Sequence, residues 1–213
     1  MLNKNNLAYL KSKLTDQTLV AVTKYVGDRE IDLLLSEGIN NLGENRVKIF
    51  LEKCNKHQDK DIVWHFIGHL QSKKVKKLIN KIDYLHSLDR MSLANEIEKR
   101  RDKPLPCFLE VNISNDSNKY GLKPENVLDF YNKIREYDKI RVIGFMGMAK
   151  HTDDKTIIRN NFNVLLNLKE EFNQKFKNNK VTKLSMGMTN DFEIAIEMGA
   201  THLRIGSFLY EEE

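Results

Sequence analysis

The sequence predicts an α/β fold, a closed (β/α)8 TIM barrel formed by a single domain over residues 1–213. Short apolar runs rich in valine, isoleucine and leucine alternate about eight times with amphipathic helical patterns. This alternation is typical of parallel βαβ units, and eight such units close a barrel. No linker or low-complexity tract divides the chain. The alternative is an open doubly wound sheet, but no glycine-rich fingerprint follows the first predicted strand.

The composition is that of a globular protein, with 40% hydrophobic and 31% charged residues. The net charge of +5 is spread among acids, which favours a solvated surface over a nucleic-acid partner. No apolar run approaches the length of a membrane span, and the start lacks the apolar core of a signal peptide. Cys54 and Cys107 provide neither a disulfide framework nor a metal-binding spacing. We therefore expect a cytoplasmic monomer with reduced thiols, no bound metal and no membrane partner.

The first four strands are predicted from apolar runs that end at glycine or polar residues. They occupy residues 18–24, 39–42, 62–67 and 82–88. Helical spacing of apolar residues predicts helices over residues 2–14, 28–38, 47–56, 70–79 and 93–97. The first of these helices is expected to fill the place after the last strand, which has no helix of its own. The charge run Lys73, Lys74, Lys76 and Lys77 is either a solvated helix face or a phosphate-binding patch.

The second half continues the alternation. Strands are predicted at residues 107–113, 140–146, 181–186 and 201–208, with a ragged tail at 210–213. Pro104 and Pro106 should end the preceding helix before the fifth strand, and Pro124 fits the first turn of the next helix. A stripe of apolar residues from 158 to 176 indicates a long helix facing the core. Asn190 with Glu193 resembles a capping box for a short last helix.

Lys24 closes the first predicted strand, Thr-Leu-Val-Ala-Val-Thr-Lys. In an α/β protein the carboxyl ends of the strands form the edge where ligands bind. One interpretation is a strand-end lysine whose amine extends to water. The other is an amine that is desolvated enough to lose its proton and attack a carbonyl. The lysine alone leaves both open.

Two later loops and one arginine add a second kind of chemistry. The loops Ser185-Met-Gly-Met-Thr189 and Ile205-Gly206-Ser207 combine hydroxyls with glycine, at the two strand ends where barrels often bind phosphate. Ordinary turns are the alternative. Arg204 lies inside the last strand and must be paired, either with a structural acid or with a ligand. An amine, a phosphate-binding loop and a partner for a ring nitrogen together are what pyridoxal 5'-phosphate requires.

Several motifs occur in the order found in one family. The chain resembles the pyridoxal phosphate homeostasis proteins, the YggS/PROSC family, over nearly its full length. The matching segments are Ala21-Val-Thr-Lys24, Gly43-Glu-Asn-Arg46, Trp64-His-Phe-Ile-Gly68, Val111-Asn-Ile-Ser114, Lys119-Tyr-Gly121, Gly144-Phe-Met-Gly-Met148, Leu184-Ser-Met-Gly-Met188 and Arg204-Ile-Gly206. Two places depart from the family pattern: Lys73-Lys74 replaces a common Asn-Lys, and Tyr210-Glu211 replaces an aromatic-Gly pair.

The resemblance implies a barrel similar to the amino-terminal domain of alanine racemase, with pyridoxal phosphate bound as a lysine aldimine. It implies that Lys24 forms the Schiff base and that Arg204 faces the ring nitrogen of the cofactor. Asn45 would lie beside the ring, and the phosphate would contact Ser185, Met186, Gly206 and Ser207. His65, Met146 and Met148 would either line the site or pack in the core.

The function implied is that of a cofactor carrier in vitamin B6 homeostasis, with apo-enzymes as possible recipients and no evident catalysis. The alternative is an amino-acid racemase-like enzyme that uses the same lysine. A third reading, a basic nucleic-acid-binding protein, has no recognised motif in its favour.

Overall fold

The structure, a computed structural model, describes residues 1–116 and 119–210. Within these ranges eight parallel strands form a closed barrel in chain order. The strands are β1 Thr18–Val22, β2 Asn41–Glu44, β3 Val63–Phe66, β4 Tyr84–Leu88, β5 Leu105–Glu110, β6 Ile140–Met146, β7 Lys183–Ser185 and β8 His202–Ile205. The predicted barrel is confirmed, and the open-sheet alternative is wrong because β1 pairs with β8.

Eight α-helices surround the strands in the described part of the chain. They are α1 Lys4–Lys13, α2 Asp28–Ser36, α3 Val47–Lys56, α4 Val75–Leu78, α5 Met91–Arg100, α6 Val127–Ile134, α7 Lys155–Lys175 and α8 Phe192–Glu197. Short 3-10 turns occur at Ser72–Lys74, Pro124–Asn126 and Ser207–Leu209. α1 packs against the last of these turns. The side-chain amide of Asn6 donates from Nδ2 to the main-chain carbonyl of Phe208 at 2.8 Å. The helix thereby lies next to the segment that follows β8, in the position predicted for it.

Several sequence-based boundaries were wrong, among them both ends of β2 and of β5, and one predicted cap does not form. β8 ends at Ile205, and the predicted continuation to residue 208 is a 3-10 turn. β5 includes Pro106, which has no N–H to donate to a neighbouring strand. No hydrogen bond with β4 is lost, because pairing with β4 begins only at Cys107. The predicted capping box at Asn190 does not form: Asp191 is the N-cap of α8, without a side-chain cap bond. The predicted tail at residues 211–213 lies outside the described ranges.

Hydrophobic packing between the strands and the helices forms the main core. Each fully buried phenylalanine contributes about 1.5–3 kcal/mol relative to an exposed one. Within the described ranges these are Phe50, Phe66, Phe108, Phe145, Phe162 and Phe172. No helix in the two described ranges is both long and apolar enough to cross a membrane.

The inside of the barrel is filled by aromatic and imidazole rings. His65 stacks on Tyr84 with ring centroids 4.6 Å apart, and His86 stacks on Phe108 at 4.4 Å. His202 lies edge-on to Phe108 at 5.0 Å. These rings plug the barrel, so a ligand at the carboxyl ends of the strands would rest above them. His65 is fully buried and belongs to this packed interior.

Candidate functional site

Lys24 lies two residues beyond the end of β1, at the mouth of the barrel. The register pairs Val22 with Gly43, which brings the turn that holds Lys24 next to the residues that follow β2. The Lys24 side chain is half-buried, and its amine lies 4.9 Å from the ring centroid of the exposed Tyr25. Arg46 approaches the same ring at 5.8 Å. Lys24 is therefore only partly covered by protein at this end of the barrel.

A buried ion pair anchors the backbone immediately before Lys24. Lys53 of α3 donates to Glu44 Oε1 at 2.6 Å and also to the main-chain carbonyl of Thr23. The Thr23 hydroxyl donates to the same carboxylate oxygen at 2.6 Å. Because Glu44 is fully buried and Lys53 nearly so, these bonds are shielded from water. They tie the end of β1 to β2 and α3, and so hold the backbone that carries Lys24.

Asn45 follows β2 and carries a side-chain oxygen without a partner. Its Oδ1 is buried and accepts no hydrogen bond in the described structure. A Cβ at Gly68 would lie 2.3 Å from the Asn45 carbonyl oxygen, so the two loops touch through their backbones. Buried acceptors are nearly always satisfied, which makes this oxygen a position where a ligand donor would fit.

Arg204 is buried at the carboxyl end of β8. Its Nη1 donates to Ser185 Oγ at 2.7 Å, and its Nη2 donates to the Gly147 carbonyl at 3.1 Å. Burial lowers the pKa of the guanidinium to about 10, and the nearby Asp191 and Glu110 carboxylates oppose that shift. Arg204 therefore remains charged at neutral pH. Among the described residues it makes no direct salt bridge with an acid. Pairing with a structural acid, one of the two interpretations of this arginine from the sequence, is therefore not supported.

Ser185 and Met186 are committed to the barrel itself. Ser185 is fully buried, and its Oγ lies 2.8 Å from His86 Nδ1 in addition to its bond with Arg204. The Met186 amide donates to the His202 carbonyl at 3.1 Å. Both groups have hydrogen-bond partners within the barrel in this arrangement, and the phosphate roles expected for them stay predictions.

A pair of hydroxyls lies at the mouth instead. Thr189 Oγ1 and Ser207 Oγ are 3.0 Å apart, and Thr189 Oγ1 also accepts from the Phe208 amide at 3.3 Å. Gly206 precedes Ser207 at the end of β8. Two loops from neighbouring strands thus meet in one polar cluster. From the sequence, Thr189 was expected only to end its loop and was not among the candidate site residues. Its hydroxyl just before a predicted helix was the signal that could have indicated a phosphate contact.

The loop that carries Thr189 has a defined shape. Gly187 adopts φ +95°, and a Cβ there would lie 2.7 Å from the Ala195 Cβ, so only glycine fits. Asp191 Oδ1 accepts from the Met188 amide at 2.6 Å. Burial raises the pKa of Asp191, while this amide and Arg204 oppose the shift. α8 has only six residues, and the loop, rather than the helix, positions the hydroxyl of Thr189.

Glu110 is a second residue that the sequence reasoning missed. It ends β5, it is 4% exposed, and its Oε2 has no hydrogen-bond partner in the described ranges. Burial and the Asp89 carboxylate raise its pKa to about 7, while Arg204 and Arg90 act in the opposite direction. Met146 beside it is buried, and Met148 is half-buried.

The comparisons with known proteins show which family the chain resembles. The family described as alanine racemase, N-terminal domain, matches residues 3–213. The pyridoxal phosphate homeostasis protein of Aquifex aeolicus is 39% identical over 197 residues, 91% of this chain and 86% of that protein. The protein of the same name from Helicobacter pylori strain J99 is 38% identical over 216 residues, 99% of this chain and 94% of that protein.

The structural likeness is equally extensive. PipY of Synechococcus elongatus PCC7942, solved with PLP bound, superposes with a TM-score of 0.91 at 27% identity. The superposition covers 97% of this chain and 99% of PipY. The resemblance inferred from the motifs is thereby confirmed. The chain belongs to the alanine racemase N-terminal domain family and, within it, to the pyridoxal phosphate homeostasis proteins.

Proposed function

We propose that this protein binds pyridoxal phosphate through a Schiff base to Lys24 and takes part in vitamin B6 homeostasis without catalysis. The observation that carries the proposal is the gathering of three complementary groups at one end of the barrel. These are the amine of Lys24, the charged Arg204 and the hydroxyl pair of Thr189 and Ser207. The relatives named for this role, and PipY with PLP bound, support it.

The residues present fit the parts of the cofactor. The amine of Lys24 suits the aldehyde, and the guanidinium of Arg204 suits the ring nitrogen as a donor. The Thr189 and Ser207 hydroxyls suit the phosphate. The unpartnered Oδ1 of Asn45 suits a donor on the ring side. Bound in this way the cofactor would supply its aldehyde for reversible attachment, while the chain supplies position and charge.

An absorption spectrum tests the proposal directly. Purified protein incubated with pyridoxal phosphate should become yellow, because a protonated lysine Schiff base absorbs visible light. Borohydride should bleach the colour and leave a permanent mass increase on the chain. Protein that stays colourless and gains no mass at saturating cofactor would contradict the proposed function.

We expect the phosphate to depend on the mouth hydroxyls. Charge-assisted hydrogen bonds contribute roughly 1.5–3 kcal/mol each. Replacing both residues, Thr189→Val with Ser207→Ala, should therefore weaken pyridoxal phosphate binding at least about tenfold, which corresponds to roughly 1.4 kcal/mol. Pyridoxal, which has no phosphate, should bind almost as before. Titrations of both ligands measure the difference.

Ser185→Ala provides the matched comparison for the two mouth hydroxyls. Because its hydroxyl contacts Arg204 rather than the mouth, this change should weaken phosphorylated and unphosphorylated ligands by similar factors. A loss confined to pyridoxal phosphate would instead return Ser185 to the phosphate role expected from the sequence.

The chemistry of Arg204 supports the expectation that the protein is not a catalyst, although racemases tolerate such an arginine by placing bases on both faces of the substrate. Carbanion chemistry uses the cofactor ring as an electron sink, which works best with a protonated ring nitrogen. A guanidinium has no acceptor and stays charged, so it disfavours that proton. Holoprotein incubated with L-alanine in deuterated water should therefore show no rapid α-deuterium incorporation. Exchange that Lys24→Ala abolishes would restore the racemase alternative, and its loss in Glu110→Gln as well would identify Glu110 as the second base.

The apo-enzyme recipients, the monomeric state and the cytoplasmic location expected from the sequence remain predictions. Gel filtration at micromolar concentration tests the monomeric state, for which a species of 24.9 kDa is expected.

A further inference from the structure

A continuous chain of hydrogen bonds crosses the barrel beneath Arg204. Arg204 Nη1 contacts Ser185 Oγ at 2.7 Å, and Ser185 Oγ contacts His86 Nδ1 at 2.8 Å. His86 Nε2 contacts His65 Nδ1 at 2.9 Å, and His65 Nε2 contacts Asn41 Oδ1 at 2.9 Å. We call the lower three residues, Asn41, His65 and His86, the relay. It joins β2, β3 and β4 to Ser185 on β7.

The two ends of the chain together fix the direction of its bonds when both rings are neutral, because the Asn41 oxygen can only accept and Arg204 can only donate. A guanidinium has donors and no acceptor, so Ser185 Oγ must accept from it. Ser185 Oγ has lone pairs for two donors, so Arg204 by itself leaves the His86 tautomer open. The Asn41 oxygen requires a proton on His65 Nε2, which leaves His65 Nδ1 to accept from His86 Nε2 and His86 Nδ1 to accept the Ser185 proton. His86 consequently carries its proton on Nε2 and donates to His65 Nδ1. His65 in turn carries its proton on Nε2 and donates to Asn41, whose oxygen can only accept.

The surroundings keep both rings in that state. His65 and His86 are fully buried, and burial lowers the pKa of each imidazole, for His65 to about 3. A protonated His86 would direct a second donor at Ser185 Oγ, which already accepts from a cation. His202, whose ring lies 6.0 Å from that of His86, and the charge on Arg204 further lower the pKa of His86.

The relay is complete, which distinguishes it from ordinary buried histidines of this chain. Both nitrogens of His65 and of His86 have hydrogen-bond partners. The buried Nδ1 atoms of His57 and His69 have none within the described ranges. A buried polar network is costly unless every member is satisfied, whereas apolar side chains would fill the same space without that requirement. The completeness therefore points to a role for the end of the chain, which is Arg204.

We propose that His86, supported by His65 and Asn41, is a positioning residue that acts through Ser185 to hold the Arg204 guanidinium at the cofactor's ring nitrogen. The unprotonated Nδ1 of His86 draws the Ser185 proton away and leaves the oxygen lone pair facing Arg204. Without that acceptor the buried Ser185 proton has no partner, and rotation of the hydroxyl toward another acceptor would weaken the bond from Arg204. The inference rests on the proposed function for its consequence, but its geometry concerns this chain alone.

The geometry is tested first on the ligand-free protein. With 15N-labelled histidine, NMR at pH 7 should identify His65 and His86 as neutral rings with the proton on Nε2. Ser185→Ala should shift the Nδ1 resonance of His86 strongly, since that nitrogen loses its donor. A proton on Nδ1 of His86, or a doubly protonated ring, would overturn the relay whether or not any cofactor binds.

Binding then tests the role. His86→Leu removes the acceptor, and we expect pyridoxal phosphate binding to weaken at least about fivefold, the effect of losing one buried hydrogen-bond partner. His86→Gln should recover most of the affinity, because its amide can accept from Ser185 and donate to His65. His57→Leu, which lies outside the relay, should leave affinity unchanged even if it lowers stability.

A double-mutant cycle separates positioning from packing, since His86 also stacks on Phe108. If His86 acts through Ser185, His86→Leu should add almost nothing to the loss caused by Ser185→Ala. Additive losses would show a packing effect and overturn the proposal. Failure of the wild-type protein to bind pyridoxal phosphate would contradict the proposed function instead, and the NMR measurement would still decide the relay.

Discussion

Lys24→Ala is expected to abolish the borohydride-fixed adduct with pyridoxal phosphate. A primary amine is the only group in lysine that can attack the aldehyde, and alanine offers none. Lys24→Arg should fail equally, because the guanidinium keeps the positive charge but cannot be deprotonated to act as a nucleophile. Mass spectrometry after borohydride and proteolysis measures the adduct and locates it. Both variants should still bind the phosphate weakly through Thr189 and Ser207.

Lys48→Ala is the matched control for Lys24. This lysine lies on α3 with a side chain that is 88% exposed, and it should tolerate the change with the adduct intact. An adduct found mainly on another lysine, or one that persists in Lys24→Ala at the wild-type level, would move the attachment point away from β1. The hydroxyl cluster at the mouth would then need a different partner.

The fold and the positions of two candidate site residues were predictable because they depend on patterns that are local in sequence. Alternating strands and helices predicted the barrel, and a parallel barrel brings all carboxyl strand ends to one mouth. Lys24 and Arg204 could therefore be placed on the same side before any contact was known. The limits of a strand were less certain, since the apolar run around β8 continues past Ile205 into residues that form a 3-10 turn.

The roles of Ser185 and Thr189 could not be separated from the sequence alone. Both hydroxyls belong to one five-residue loop motif, and either could face a phosphate. The distinction depends on which face of β7 its last residue occupies, and the three-residue strand β7 gives no alternation from which to read it. Only the register with β8 turns Ser185 toward Arg204 and leaves Thr189 near Ser207.

The buried ion pair of Glu44 and Lys53 could not be predicted from the sequence for a related reason. Glu44 ends a strand and Lys53 lies nine positions later in α3, so no helical or strand period connects them. They meet because α3 folds back over β2, and Thr23, the residue after β1, also bonds to Glu44. Charged residues in a sequence are usually exposed, and nothing local marks these two as buried.

This ion pair should have the largest effect on stability of any contact described at the site. Lys53→Met keeps the length of the side chain but removes the cation, leaving the Glu44 carboxylate buried without a counter-charge. Breaking a buried pair on one side costs roughly 3–5 kcal/mol, because the remaining charge stays desolvated. Urea unfolding should therefore show a loss of that order in the free energy of unfolding. The double variant Glu44→Gln with Lys53→Met should recover a large part of it.

The control for this prediction lies on the same helix. Lys48 and Glu52 form a pair at 4.0 Å with side chains 88% and 53% exposed. Such exposed pairs contribute about 0.3–0.5 kcal/mol, so Lys48→Met should change stability little. A loss below about 1 kcal/mol for Lys53→Met would mean that water reaches the Glu44 carboxylate and that the pair is not a buried anchor. If the loss is large, the Lys53→Met protein should also form the Lys24 adduct more slowly even where it remains folded, because the Thr23 carbonyl that precedes Lys24 has lost its donor.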